Sequence, residues 1–273
     1  MRVAAVQMTA RADAGESRSV AATFVREAAA DAARLVVLPE LFTALGPGTE
    51  LRDGAEPLEG PTTAWAGALA AELGVWLLAG SFVERDDADD GSRFYNTSCL
   101  VNPAGELVAA YRKIHLFDVD VAGAGMHESG VFSAGDELVT ADVDGTLLGL
   151  TTCYDLRFPE VFRIQALRGA TVVALPSAFV AATGPAHWEL LIRARAVENQ
   201  VFMVAPNQCG TTPDGTARYG HSVVVDPWGD VLAAGGDDAG IIVADLDPAV
   251  LDRVRASLPS LRNRRPAAYR WPT

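Results

Sequence analysis

Cysteine is scarce in this chain: three residues in 273, Cys99, Cys153 and Cys209, odd in number and far apart. That pattern excludes a disulfide-stapled scaffold and leads us to expect a reducing, cytoplasmic setting. Histidine is nearly as rare, with four residues. No CxxC, HxH or HExxH spacing appears among these residues, so no metal site is expected. Basic residues are outnumbered, 22 Lys and Arg against 35 Asp and Glu, for a net charge of −13. The only basic cluster, Arg262-Asn263-Arg264-Arg265, lies near the C-terminal end, and no nucleic-acid partner is expected. No apolar run approaches the roughly 18 residues of a membrane span. The opening MRVAAVQMTA lacks the long apolar stretch of a secretory signal and reads as a first strand. GxSxG, Walker and GxGxxG motifs are missing too, which leaves serine-esterase, NTPase and dinucleotide-enzyme readings without support. No cofactor is implied.

What is present suits a large buried core. Hydrophobic residues make up 49% of the chain and charged residues 21%. The pattern predicts strands at 2–6, 35–40, 75–80, 94–101 and 106–111. It predicts helices at 17–34, with Ser17 as N-cap and Val20, Phe24 and Ala28 on one face, and at 62–73, stopped by Gly74. An acidic surface turn is expected over 86–90. Residues 117–137 show no period and read as a long functional loop. Beyond it come a hairpin about Asp144-Gly145, a helix from Pro159 to Gly169, a strand TVVALP, a helix at 185–199 and a strand VFMVAPN. A hairpin about 226–229, a strand at 241–245, a short helix at 248–257 and an extended arm complete the chain. With no repeat and no linker, one domain over 1–273 is expected, its arm beginning near 258.

Three reactive side chains stand just past apolar strands: Glu40 after LVVLP, Lys113 after the strand ending at Tyr111, and Cys153 after LLGLTT. Strand-end loops are where α/β folds place reacting groups, because the sheet holds them rigidly. A carboxylate, an ammonium and a thiol so placed suggest a division of labour. A free thiol is mostly protonated at neutral pH, so attack by Cys153 needs a base. Glu40 suits that role and the return of the proton to a leaving amine. Lys113 and the backbone N–H of Tyr154 suit stabilisation of the oxyanion, each such donor being worth roughly 3–4 kcal/mol. Taken singly, each residue reads more simply as a core thiol, a loop acid or a surface lysine.

The local sequences change that balance. GLTTCYDLRFPEVF at 149–162, LPELF at 38–42 and YRKIHLFD at 111–118 resemble the nitrilase, or carbon–nitrogen hydrolase, superfamily. The resemblance continues through PSAF (176–179), TGPAHWELLIRARAVENQ (183–200), NQCG (207–210), YGHSVVVDPWG (219–229) and NRRPAAY (263–269). It implies catalytic Glu40, Lys113 and Cys153, with Glu128, inside HESGVFSAGD at 127–136, orienting Lys113. It also implies a four-layer α-β-β-α sandwich that pairs into a homodimer through the helices at 159–168 and 185–199, the C-terminal arm reaching across.

Within the superfamily the chain is most similar to deaminated-glutathione amidases and ω-amidases. That implies a small amide bearing a remote carboxylate. Arg157 is the first choice to grip that carboxylate, because a guanidinium matches it bidentately. An ion pair of Arg157 with Glu160 is the competing expectation. Phe179, Ala181 and Thr183 are expected to line the pocket, Thr183 as a hydrogen-bonding group. The segments 43–51 and 119–127 fit no single subfamily. N-carbamoyl hydrolysis, aliphatic amidase, nitrilase or specialised biosynthetic amidase activity is therefore the alternative.

Overall fold

The computed structural model describes residues 1–46, 48–86, 93–121 and 124–268. The acidic turn expected at 86–90 lies outside these residues except for Asp86, as do positions 269–273 of the arm. In chain order the elements are β1 (Arg2–Gln7), α1 (Ala14–Ala30), β2 (Leu35–Val37), α2 (Gly48–Asp53), α3 (Pro61–Leu73), β3 (Trp76–Arg85), β4 (Phe94–Val101) and β5 (Leu107–Arg112). There follow β6 (Asp118–Val121), β7 (Ala124–His127), β8 (Thr140–Val143), β9 (Thr146–Leu150), α4 (Pro159–Leu167), β10 (Val172–Ala174) and α5 (Gly184–Asn199). The rest are β11 (Phe202–Ala205), β12 (Cys209–Thr211), β13 (Ala217–Tyr219), β14 (Val223–Val225), β15 (Val231–Ala234), β16 (Gly240–Asp245) and α6 (Pro248–Ser257).

Two six-stranded sheets form, ordered β16-β1-β2-β3-β4-β5 and β15-β14-β11-β10-β9-β8. Each has a parallel centre, β1-β2-β3 in one and β9-β10-β11 in the other, flanked by antiparallel strands. The residue alternation of β1 shows how the layers arise. Val3 and Ala5 join Leu148, Val172 and Val204 of the opposite sheet in one apolar cluster. Ala4 and Val6 point the other way, into a cluster with Ala21, Val25 and Ala28 of α1 and Ala66 and Ala70 of α3. The second sheet likewise turns Val173, Met203 and Val225 onto Phe162 of α4 and Trp188 and Ile192 of α5. Period-2 strands buried on both faces need cover on both faces. The outcome is the expected α-β-β-α sandwich.

Most elements fall where the sequence puts them, including the stop of α3 at Gly74, which sits at φ 67°. Four differ. Helix α1 starts earlier, with Asp13 as N-cap accepting from the Glu16 N–H. Ser17 lies inside the helix, where its hydroxyl accepts from the Arg11 N–H, and the buried face is Ser17, Ala21, Ala22, Val25 and Ala28. Val20 and Phe24 are only half-buried and pack against the edge of the same core. The span 117–137 is no plain loop: β6 and β7 pair antiparallel and lead into a 3-10 turn at Glu128–Gly130. Strands of four residues are too short to display a period. The hairpin β12-β13 and the short helix α2 were not expected at all, for the same reason. The described part of the arm is not uniformly extended, since Pro266–Ala268 form a 3-10 turn.

Candidate active site

Glu40 leaves the end of β2 through Leu38-Pro39, pressed against β3 at Gly80. A Cβ at Gly80 would collide with the Pro39 and Leu38 carbonyls, so only glycine permits this approach. The next residue, Leu41, has φ 47°, and its N–H donates to Ser81 Oγ at 2.8 Å. Gln208 Nε2 donates to the Glu40 carbonyl at 3.0 Å. Cys153 opens a 3-10 turn, Cys153–Arg157, just past β9 and has φ 44°, a strained value for a side chain with Cβ. Its N–H is anchored on the Pro176 carbonyl at 2.9 Å. Thr152 and Asp155 close a capping box around that turn.

The side chains converge. Glu40 Oε1 accepts from Lys113 Nζ at 2.8 Å and from Asn96 Nδ2 at 2.9 Å. Its Oε2 accepts from the Ala178 N–H at 2.9 Å. Lys113 Nζ also donates to Glu128 Oε1 at 3.0 Å and Oε2 at 2.8 Å, and Glu128 Oε2 accepts from the Phe117 N–H. Glu40, Lys113 and Cys153 are buried, while the Glu128 side chain keeps 21% exposure.

Charge states follow from these contacts. Burial pushes the Glu40 carboxyl up, but the Lys113 charge and the hydrogen bonds to it outweigh burial and hold it below the ordinary carboxylate range. Burial, reinforced by the Glu40 charge, pushes the Cys153 thiol well above its usual range. Lys113 stays charged: burial opposes the ammonium, yet Glu128 and Glu40 together raise it well above normal. Glu128 is raised by burial, since a single ammonium must serve two carboxylates. The resting set is thus a carboxylate, an ammonium and a neutral thiol.

These groups open onto a cavity of about 190 Å³. Glu40, Glu128, Cys153, Tyr154, Arg157, Phe179 and Thr183 all line it. Lys113 sits behind the two carboxylates, and Ala181 is not among the lining residues; Val180 is. The expected Arg157–Glu160 pair does not form. Arg157 instead meets His187 Nδ1 at 3.3 Å and lies 5.5 Å from the Phe179 ring centre and 5.9 Å from that of Tyr154. Thr183 Oγ1 is buried without a hydrogen-bond partner. Asp214 and Arg218, on and beside β13, also border the cavity and were missed in the sequence. They pair at 3.1 Å, and Arg218 Nη1 donates to the Ala178 carbonyl at 2.9 Å. The only signal for them was the turn-forming Pro213-Asp214-Gly215. Cys99 and Cys209 are buried away from this cavity, and burial pushes Cys99 up to about 12. Among the described residues no group of three or more His, Cys, Asp or Glu is arranged to hold a metal.

A buried thiol beside a carboxylate and an ammonium, at the strand ends of an α-β-β-α sandwich, defines a class of thiol hydrolases. The chain belongs to the carbon–nitrogen hydrolase family, whose model matches residues 2–256. It is a hydrolase acting on carbon–nitrogen bonds other than peptide bonds. It is 42% identical to the deaminated glutathione amidase of Mus musculus over 272 residues, covering 98% of this chain and 84% of that protein. It is 38% identical to omega-amidase NIT2 of Homo sapiens over 269 residues, covering 98% and 96%. Among solved structures it resembles a mutant of the amidase from Nesterenkonia sp. AN1, with TM-score 0.83 and 28% identity, covering 98% of this chain and 95% of that one. That structure shows covalent addition of the acetamide moiety of fluoroacetamide at the active-site cysteine.

Proposed function

We propose that this protein hydrolyses a small amide bearing a carboxylate remote from the scissile bond, of the 2-oxo-acid ω-amide or deaminated glutathione type, through a thioester on Cys153. Glu40 takes the thiol proton as sulfur attacks the amide carbon. Lys113 and the Tyr154 N–H stabilise the oxyanion. Glu40 then protonates the departing nitrogen, the carbon–nitrogen bond breaks, and the thioester remains. Glu40 next removes a proton from water, whose oxygen attacks the thioester and frees the acid and the thiol. Glu128 orients Lys113. The lowered Glu40 and the raised Cys153 make the resting pair a carboxylate and a neutral thiol, so the proton moves only as sulfur attacks.

One observation carries the substrate class. Arg157 lines the cavity with no carboxylate partner among the described residues, above the aromatic floor of Phe179. A buried-side guanidinium left without an anion is suited to take one from the ligand. Thr183, which lines the same cavity, offers an unpaired buried hydroxyl oxygen. The homology to two amidase groups supports the same reading. The deciding experiment is a product screen across 2-oxoglutaramate, deaminated glutathione, N-carbamoyl amino acids, aliphatic amides and nitriles, following ammonia release or product mass. Preference for the carboxylate-bearing amides is expected, and turnover of nitriles or carbamoyl compounds alone would overturn it.

The protein also acts as a homodimer in this proposal, with the arm from 258 packing across the interface. Its support is an apolar surface on the two outer helices: Ile164 and Leu167 on α4, Leu190 and Val197 on α5 are all exposed. Three unpaired cysteines suit a cytoplasmic setting. Among the described residues no helix is long and apolar enough to cross a membrane.

A further inference from the structure

Asp155 lies two residues after Cys153 and is completely buried. Burying a carboxylate is costly unless hydrogen bonds replace its water. Four donors do so here. Oδ2 accepts from the Tyr111 hydroxyl at 2.6 Å and from the Thr152 N–H at 2.8 Å. Oδ1 accepts from the His115 ring at Nδ1, 2.8 Å away, and from the His115 N–H at 3.3 Å.

The donors come from two places. Thr152 belongs to the turn that bears the thiol. Tyr111 and His115 stand two residues before and two after Lys113. The His115 ring also stacks on Phe158, which ends the Cys153 turn, with centroids 3.6 Å apart and planes within 8°. Tyr111 is itself buried, and burial together with the Asp155 charge keeps its phenol protonated, hence a donor. Segment 111–115 and segment 152–158 are therefore joined through one carboxylate and one ring stack. Neither joint touches the cavity, since none of Asp155, Tyr111 and His115 lines it.

We infer that Asp155 is a positioning residue, holding the Cys153 turn and the Lys113 strand end at a fixed spacing. This rests on the reading of Cys153 as nucleophile and Lys113 as oxyanion donor. The backbone at Cys153 is strained, and strain persists only where surrounding contacts over-determine the geometry. The clamp supplies those contacts on the side away from substrate. Loosening it displaces the thiol relative to the ammonium, which harms a transition state that must touch both. Phe179 belongs to another segment and stays in place, and the Arg157 guanidinium, although carried on the same turn, keeps its outside anchor on His187 Nδ1 at 3.3 Å. The signature is a fall in kcat with KM held.

The test uses the full chain in three variants, Asp155→Asn, Tyr111→Phe and Cys153→Ala. The readouts are kcat and KM for 2-oxoglutaramate, the rate of fluoroacetamide adduct formation on Cys153 by intact mass, and the urea midpoint. For Tyr111→Phe, which deletes a single oxygen, kcat and adduct rate should each fall about tenfold with KM within about twofold. For Asp155→Asn the fall should reach about a hundredfold. If the Asp155→Asn chain does not fold, Tyr111→Phe decides alone. If wild type does not turn over 2-oxoglutaramate, the adduct rate decides. Lower urea midpoints with unchanged kcat and adduct rate would overturn the inference and leave Asp155 a purely structural group. Turnover or adduct formation surviving in Cys153→Ala would instead overturn the underlying mechanism.

Discussion

Asn96 Nδ2 donates to Glu40 Oε1 at 2.9 Å, sharing that oxygen with Lys113 Nζ. The bond favours the ionised carboxylate, the form that accepts the thiol proton in the proposed mechanism. Removing it in Asn96→Ala raises the Glu40 pKa. The acid limb of the kcat/KM profile should move to higher pH, by roughly one unit for a charge-assisted bond. The same sign holds for stability. Stabilisation from a depressed Glu40 is present above the ordinary carboxylate range and is lost as pH falls through the lower folded value. An unmoved acid limb would show that Asn96 does not tune Glu40.

Glu40→Gln keeps the shape of the site and removes the proposed base. The neutral Cys153 thiol then has no proton acceptor, and amide turnover should fall by about 10²–10⁴. Adduct formation by fluoroacetamide should slow as well. Cys153→Ala should abolish turnover and leave the far-UV circular dichroism unchanged, because the cysteine is a small buried side chain with ample core around it.

Arg157→Met should raise KM for amides carrying a carboxylate by about tenfold or more and change KM for neutral aliphatic amides little. Steady-state kinetics on both substrate types supplies the comparison. Equal effects on both would remove Arg157 as the anchor.

Leu190 is 67% exposed on α5 and Leu167 49% exposed on α4. Leu190→Glu places a charge at the proposed interface of two copies. Light scattering should then report a monomer where the unaltered chain reports a dimer. A monomer in both would end the proposal.

Gly80→Ala forces a methyl group into the Pro39 and Leu38 carbonyls. Overpacking of that kind costs about 1–3 kcal/mol, read as a lower urea midpoint. Because Pro39 precedes Glu40, activity per folded molecule should fall too.

Much of the site was legible because each group sits inside its own local motif. LPELF, YRKIHLFD and TTCYD each place one reactive residue beyond an apolar strand, and strand patterns are local. The Lys113–Glu40 contact, by contrast, spans 73 residues and the Ala178–Glu40 contact 138. Asp214, Arg218 and Asn96 were missed because their local sequence marks a turn or a strand and no chemistry; they matter by where the chain brings them. Short paired strands such as β6-β7 and β12-β13 were missed because three or four residues hold no readable period. The absence of an Arg157–Glu160 pair is likewise a matter of direction, since three residues of separation across a helix start does not fix where two side chains point.

Cys153, Glu40 and Lys113 were therefore set by the sequence as chemical types at strand ends, together with the layered fold that hydrophobic alternation demands. Their protonation states were decided only by tertiary structure. Burial and the meeting of three segments keep the thiol neutral, the glutamate ionised and the lysine charged. Electrostatic energies depend on distance and solvent exclusion, and neither is a property of a residue's neighbours along the chain.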